Sequence, residues 1–189
     1  MIWNTQVLLT YGITLSALMV LSWLLMRSSR LDQGYVVPSF VVTVVVVGTF
    51  SLVGVAVNIL PLTLALVVLS EEWARWWIVK RRPEAVRRRS VALFVGVMFG
   101  LIETTNWLFV DKARTALAGV DIPAGGLVAA DVAYICVEFL AGVIVHGGLT
   151  ALLLLMHGKE RNPEKLMLGV MLTTGIHFLL NMVVFTTVR

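Results

Sequence analysis

The sequence predicts an all-α membrane protein, a polytopic bundle of about six transmembrane helices, and three observations carry that reading. Of 189 residues, 59% are hydrophobic and only 14% charged, against about 45–50% and roughly 25% in an ordinary soluble domain. The apolar residues are gathered in blocks, several of them reaching the roughly 20 helical residues that cross a hydrocarbon core. The Lys and Arg residues fall between those blocks with one side strongly favoured, as the positive-inside rule describes. Residues 1–189 therefore read as a single integral membrane domain.

The first span covers roughly Val7–Met26. No cation precedes it in MIWNTQ, and Arg27 and Arg30 follow it. A signal peptide has the opposite charge order, so this run is expected to stay as a helix. The second span is Tyr35–Val57, with Asn58 and Pro61 marking a short turn. The third is Leu60–Lys80, and Trp73, Trp76 and Trp77 toward its end suggest an interfacial aromatic belt; Trp73, beside two acids, is also a candidate to line a cavity. The fourth is Val91–Val110. The loop Asp111–Gly126, with Pro123, Gly125 and Gly126, is the longest outer connection, either a lid or a plain loop. The fifth, Leu127–Met156, is about 30 residues or 45 Å of helix, enough to tilt or protrude. His157 after it reads as a solvated helix end, and the sixth span is Leu166–Val188.

Charge sets the topology. Arg27, Arg30, Lys80, Arg81, Arg82, Arg87, Arg88, Arg89, Lys159, Arg161 and Lys165 fall in loops on one side; only Lys112, Arg114 and Arg189 fall on the other. The rule places the larger set in the cytoplasm and both termini outside. The run KRRPEAVRRRS is then first a topology determinant, with attraction to anionic headgroups as a secondary property. These cations account for the basic net charge, and no nucleic-acid partner is implied. The single cysteine, Cys136, allows no intrachain disulfide, and no Cys-x-x-Cys pattern points to zinc or redox chemistry.

Ionisable residues inside spans are costly, about 2.5–3.5 kcal/mol each at a helix centre on insertion scales. This chain has Glu71, Glu72 and Arg75 in the third span, Glu103 in the fourth, Glu138 and His146 in the fifth, and His177 with Asn181 in the sixth; Asp131 lies nearer the outer end of the fifth. Four spans thus offer polar groups at a similar depth, as one polar cavity would require. Residues four apart share a helix face, and Glu71–Arg75, Phe99–Glu103, His146–Thr150 and His177–Asn181 are so spaced. Arg75 can reach back to either glutamate. Two adjacent acids in a low dielectric are not both ionised cheaply, so one is expected to hold its proton. Taken singly, each residue has a plainer reading: an acid–arginine clamp, interhelical histidine or asparagine bonds, a threonine bonded to its own backbone, a core phenylalanine. Asp131 and Glu138, seven apart, either line an outer entrance or cap helix contacts.

In order, the motifs are Glu71-Glu72-Trp-Ala-Arg75, Phe99-Gly-Leu-Ile-Glu103, His146-Gly-Gly-Leu-Thr150 and His177-Phe-Leu-Leu-Asn181. This set resembles the glutamic-type intramembrane proteases, the superfamily of the CaaX prenyl endopeptidases, the PrsW proteases and the Aph subunit of gamma-secretase. The PrsW-like pattern, E-E-x-x-K, F-x-x-x-E, H-x-x-x-S and H-x-x-x-D or N, is nearest. The likeness covers residues 60–189. Arg75 stands where that pattern has lysine and Thr150 where it has serine; Glu103 stands where the CaaX enzymes have histidine.

The resemblance implies an intramembrane endopeptidase acting on a membrane protein or lipidated peptide, in the cytoplasmic membrane of a prokaryote. Glu71 or Glu72 would activate water, and His177 and Asn181 would stabilise the oxyanion. Glu103 and His146 would position the water, shuttle protons or bind a metal, with Arg75, Phe99 and Thr150 in support. A metal-independent reaction without cofactor is expected, zinc on the two histidines and a carboxylate being the alternative. A non-catalytic scaffold like the Aph subunit, and a proton-coupled transporter, stay open as other functions.

Overall fold

The computed structural model describes residues 13, 16–17, 19–24, 27, 31–57, 60–84, 86–106, 128–158 and 162–187; the side chains of 52, 54–57, 60, 106, 128–131 and 184–187 lie outside that description. Its architecture is all-α. Five helices are α1 (Gln33–Val57), α2 (Leu60–Lys80), α3 (Arg88–Asn106), α4 (Val128–His157) and α5 (Pro163–Thr187). The described residues between 13 and 27 are helical too, making six helical segments.

Three helices are long and apolar enough to cross a membrane, over Gln33–Ser51, Val132–His157 and Pro163–Val183. Their outer faces are greasy: Ile144, Leu155 and Met171 are 72%, 68% and 67% exposed. Apolar surface of this extent is foreign to a water-soluble monomer. The interior is mainly apolar, with Phe94, Phe99 and Phe139 fully buried, yet it also encloses Arg75, His146 and His177, which are among the largest fully buried side chains. Helices α2 and α3, of 21 and 19 residues, have spanning length but carry acids and arginines.

Two compact units divide the chain. One comprises Met1–Arg30 and Leu93–Gly147, the other Leu31–Ala92 and Gly148–Arg189. In the second unit, α1 packs on α2, and α2 also packs on α5. The α1–α2 pairing is antiparallel: the Tyr35 hydroxyl, at the start of α1, donates to the Ile78 carbonyl near the end of α2 at 2.8 Å. Asp32 caps α1, its Oδ1 accepting from the Gly34 amide at 3.2 Å. Pro38 lies inside α1, which membrane helices tolerate when neighbours re-satisfy the backbone. Ser39 and Thr43 then turn their hydroxyls onto the carbonyls of Tyr35 and Ser39, so no buried hydroxyl of this pair is orphaned.

Pro61 is not part of a turn. It lies in the first turn of α2, where an absent N–H breaks no intrahelical bond; Asn58 lies outside the described residues. Two other helices begin earlier than their apolar runs. α5 starts at Pro163 because Asn162 caps it, its Oδ1 accepting from the amides of Glu164 and Lys165 at 2.8 and 3.2 Å. α3 starts at Arg88, three residues before Val91. The expected end of that span, residues 107–110, and the loop Asp111–Gly126 fall outside the described residues.

His157 corrects another expectation, since it is buried rather than solvated. Its α4 runs through this residue before Gly158 ends it in a left-handed conformation, φ 67°. His157 therefore shares the inward face of the buried Leu153 and Leu154. Of the three tryptophans Trp73 is exposed, Lys80 lies 4.8 Å over Trp76 and Arg81 lies 4.5 Å over Trp77.

In the first unit, α3 and α4 cross at glycines. A Cβ on Gly142 would come within 2.7 Å of Gly100 Cα, and one on Gly100 within 2.8 Å of the Phe139 carbonyl. Small residues bring membrane helices into such close backbone contact. The crossing sits one turn from Glu103 on α3 and one turn from His146 on α4, and so decides what those two side chains meet.

Candidate functional site

Among the described residues, each unit contributes acid–histidine contacts. In the second unit they begin on α2, where Ser70, Glu71 and Glu72 are all buried. Glu72 and Arg75 are three apart and form an ion pair on one face of the helix, with Arg75 wholly excluded from solvent. Across from them, α5 presents Thr173 and His177, four apart and on one face. The Thr173 hydroxyl donates to Glu72 Oε2 at 2.8 Å. His177 Nδ1 lies 2.9 Å from Glu72 Oε1, and its Nε2 lies 3.3 Å from Glu71 Oε2.

Glu72 is therefore held through both oxygens, Oε1 by Arg75 and His177 and Oε2 by Thr173. Arg75 compensates its charge, the condition under which a carboxylate survives burial. The imidazole spans the two acids. The Nε2–Glu71 contact is an ion-pair approach without hydrogen-bond geometry; with Nδ1 donating to Glu72, two proton arrangements suit it, an imidazolium beside the Glu71 carboxylate or a neutral ring beside a protonated Glu71. The two differ by the position of one proton along the Glu71–His177 contact.

The first unit's cluster is simpler. His146 Nε2 and Glu103 Oε1 are 2.9 Å apart. The Phe99 ring stacks on the imidazole at 4.5 Å between centroids, 8° from parallel. Phe99 and Glu103 are four apart on α3, so one face of that helix supplies both the stacking partner and the acid. His146 is buried; Glu103 is 32% exposed at its side chain. Thr104, also buried, donates to the Gly100 carbonyl at 2.7 Å and stays out of the cluster.

Of the residues singled out in the sequence, Glu71, Glu72, Arg75 and His177 are brought together in one unit, and Phe99, Glu103 and His146 in the other. Arg75 pairs with Glu72, three residues away. Thr150 is buried one turn beyond His146. Asn181 is half-buried one turn beyond His177, and it is not among the groups that hold the Glu72 carboxylate. Glu138 accepts from the Tyr134 hydroxyl at 2.6 Å in an exposed setting, a helix-surface contact; the Asp131 side chain lies outside the described residues. Thr173 is the member that sequence reasoning missed. Its signal was present, because it precedes His177 by the same four residues by which Asn181 follows it.

The fold and site define an all-α protein with helices fit to cross a membrane and acid–histidine contacts in each of its two units. Comparison with protein-family models, curated proteins and solved structures finds no match for the chain.

Proposed function

We propose that the protein is an intramembrane endopeptidase of glutamic type, a six-span membrane protein that hydrolyses a peptide bond of a membrane-embedded or membrane-adjacent substrate. The observation that carries this is His177 placed between Glu71 and Glu72 while Glu72 is fixed by Arg75 and Thr173. Both oxygens of Glu72 are engaged, which suits it to holding the imidazole and ill suits it to accepting a proton from water. Glu71 is the general base. It takes a proton from water as the oxygen attacks the peptide carbonyl, His177 relays that proton, and the amine leaves with it. Glu71 Oε2 and His177 Nε2 lie 3.3 Å apart, so this transfer needs a small closure of the pair to hydrogen-bond reach. Asn181, on the His177 face, supplies an amide N–H to the developing oxyanion. The four-motif likeness adds the Glu103–His146 pair, to which it gives the ordering of water or the carriage of a proton.

A second reading has its own observation: the Glu72–Arg75 pair is completely enclosed, as in a clamp that only holds helices. The two readings part in one experiment. Peptide termini are compared in membranes of cells expressing wild type, Glu71→Gln and His177→Ala, with detergent-extracted yield and melting followed in parallel. The protease loses a defined set of cleavage products in both variants while Glu71→Gln stays folded. Unchanged termini in both variants, with the fold intact, leave the clamp. Cleavage is expected to persist in chelator; loss that zinc restores would replace the glutamate mechanism with a metal one.

A further inference from the structure

A second polar feature of the Leu31–Ala92 unit lies away from the acid–histidine cluster. A cavity of about 170 Å³ opens where α1 begins and α2 ends, lined by Asp32, Tyr35, Ser39, Trp77, Arg81 and Pro83 among others. At about 30 Å³ for each water it would displace, it holds a group of several heavy atoms and is far smaller than a peptide site needs. Its walls are set by the fold. The Tyr35 hydroxyl donates to the Ile78 carbonyl and the Ser39 hydroxyl to the Tyr35 carbonyl, so the O–H donors of the floor are committed. The open chemistry belongs to two exposed side chains of opposite sign. The Arg81 guanidinium carbon lies over the Trp77 ring, 4.5 Å from its centroid, and its N–H groups are donors of the kind an anion takes. Asp32 uses one oxygen to cap α1 and has a second. Arg82 differs from Arg81, since its guanidinium is committed to the carbonyls of Val86 and Pro83, closing the loop beside the cavity.

We infer that this cavity binds a zwitterionic phosphate–primary amine group of the phosphoethanolamine type, with the phosphate on Arg81 and the ammonium on Asp32. Planar Arg donors match phosphate oxygens, and a carboxylate accepts from the N–H groups of a primary ammonium, which a trimethylammonium lacks. The Trp76–Trp77 belt and Lys80 mark this end of α2 as an interfacial level, so a phosphatidylethanolamine headgroup is the natural source. Anionic phosphatidylglycerol is drawn to the basic loop by diffuse charge but has nothing to give Asp32.

The test is native mass spectrometry of the full chain released from micelles carrying equal phosphatidylethanolamine, phosphatidylglycerol and phosphatidylcholine, at low salt and again after exchange from about 0.5 M salt, where diffuse attraction is screened. The wild type is expected to retain phosphatidylethanolamine about tenfold over phosphatidylcholine, and that preference survives salt. Arg81→Gln lowers retention of all three, and Asp32→Asn abolishes the ethanolamine-over-choline preference alone. Soluble phosphoethanolamine added as competitor displaces the lipid if the headgroup supplies the affinity; failure to displace it at millimolar excess assigns the binding to acyl chains and overturns the proposal. Equal retention of the three lipids by the wild type, or an unchanged preference in Asp32→Asn with its helix content intact, overturns it as well.

Discussion

Arg75 is the residue on which the α2 cluster turns, because it is a full charge with no access to water. Its partner Glu72 is equally enclosed, so neither charge can be removed alone without leaving the other stranded. Removing one partner of a buried pair costs about 3–5 kcal/mol, whereas replacing both with neutral groups of similar size is often close to neutral. Arg75→Met is therefore expected to lower unfolding free energy in mixed micelles by that amount, and Glu72→Gln added to it to restore most of the loss. A double variant as unstable as the single one would show that the pair does not act as a unit. Thr173 separates holding from chemistry. Thr173→Val keeps the shape and removes one hydrogen bond to Glu72 Oε2, worth about 1.5–3 kcal/mol when the acceptor is charged. If Glu72 orients His177 for a proton relay, peptide cleavage falls roughly tenfold or more at saturating substrate, and Thr173→Ser recovers it. Equal activity in Thr173→Val and wild type would remove Thr173 from that role.

At the scale of the element, spacing within a helix was the readable part. Glu72–Arg75 is one turn of α2, Phe99–Glu103 one turn of α3, and Thr173–His177–Asn181 two turns of α5, and all follow from 3.6 residues per turn. What no spacing shows is which faces meet. That His177 meets both glutamates, and that Thr173 reaches Glu72, depends on how α5 lies on α2. His157 looked solvated because charged residues follow it in the sequence, yet the helix carries it round to the buried side of Leu153 and Leu154. Helix ends went the same way: Asn162 and Pro163 are polar or breaking by hydropathy, and only their capping geometry makes them the start of α5. The crossing of α3 and α4 gives a direct test of a face that sequence left open. A methyl on Gly142 would meet Gly100 Cα at 2.7 Å and Glu103 Oε2 at 2.6 Å. A backbone atom cannot swing aside, so Gly142→Ala should force the helices apart at about 1–3 kcal/mol and part Glu103 from His146. Gly148→Ala on the same helix, with nothing within 4 Å of its Cβ, is the control and should be neutral or stabilising by up to about 1 kcal/mol from helix propensity. Equal melting of the two variants would mean that the crossing is not close.

At the scale of the whole molecule the question is how a helix like α2 would enter a membrane as one of the six proposed spans. Only α1, α4 and α5 qualify by length and apolarity among the described residues, while six spans are proposed. Nine Leu, Ile and Val residues of α2 supply about 0.3–0.6 kcal/mol each on the insertion scale, and Glu71, Glu72 and Arg75 cost about 2.5–3.5 each near the centre. The deficit is several kcal/mol, so α2 alone should fail to insert. The chain lowers that cost in two ways. Arg75 neutralises Glu72 within the helix, and Thr173 and His177 of α5 supply hydrogen bonds that lipid cannot. α2 should therefore insert poorly as an isolated segment, better when α1 precedes it as an antiparallel partner, and fully only when α5 is present. Glycosylation-reporter insertion of the three lengths measures this directly. His177→Leu in the longest form should lower insertion of α2 although it makes α5 more apolar, and that opposite sign is the informative outcome. If the isolated helix inserts as well as the full chain, its charges are accommodated by the bilayer through snorkelling or thinning, and the pairing with α5 is not what brings the acids into the membrane.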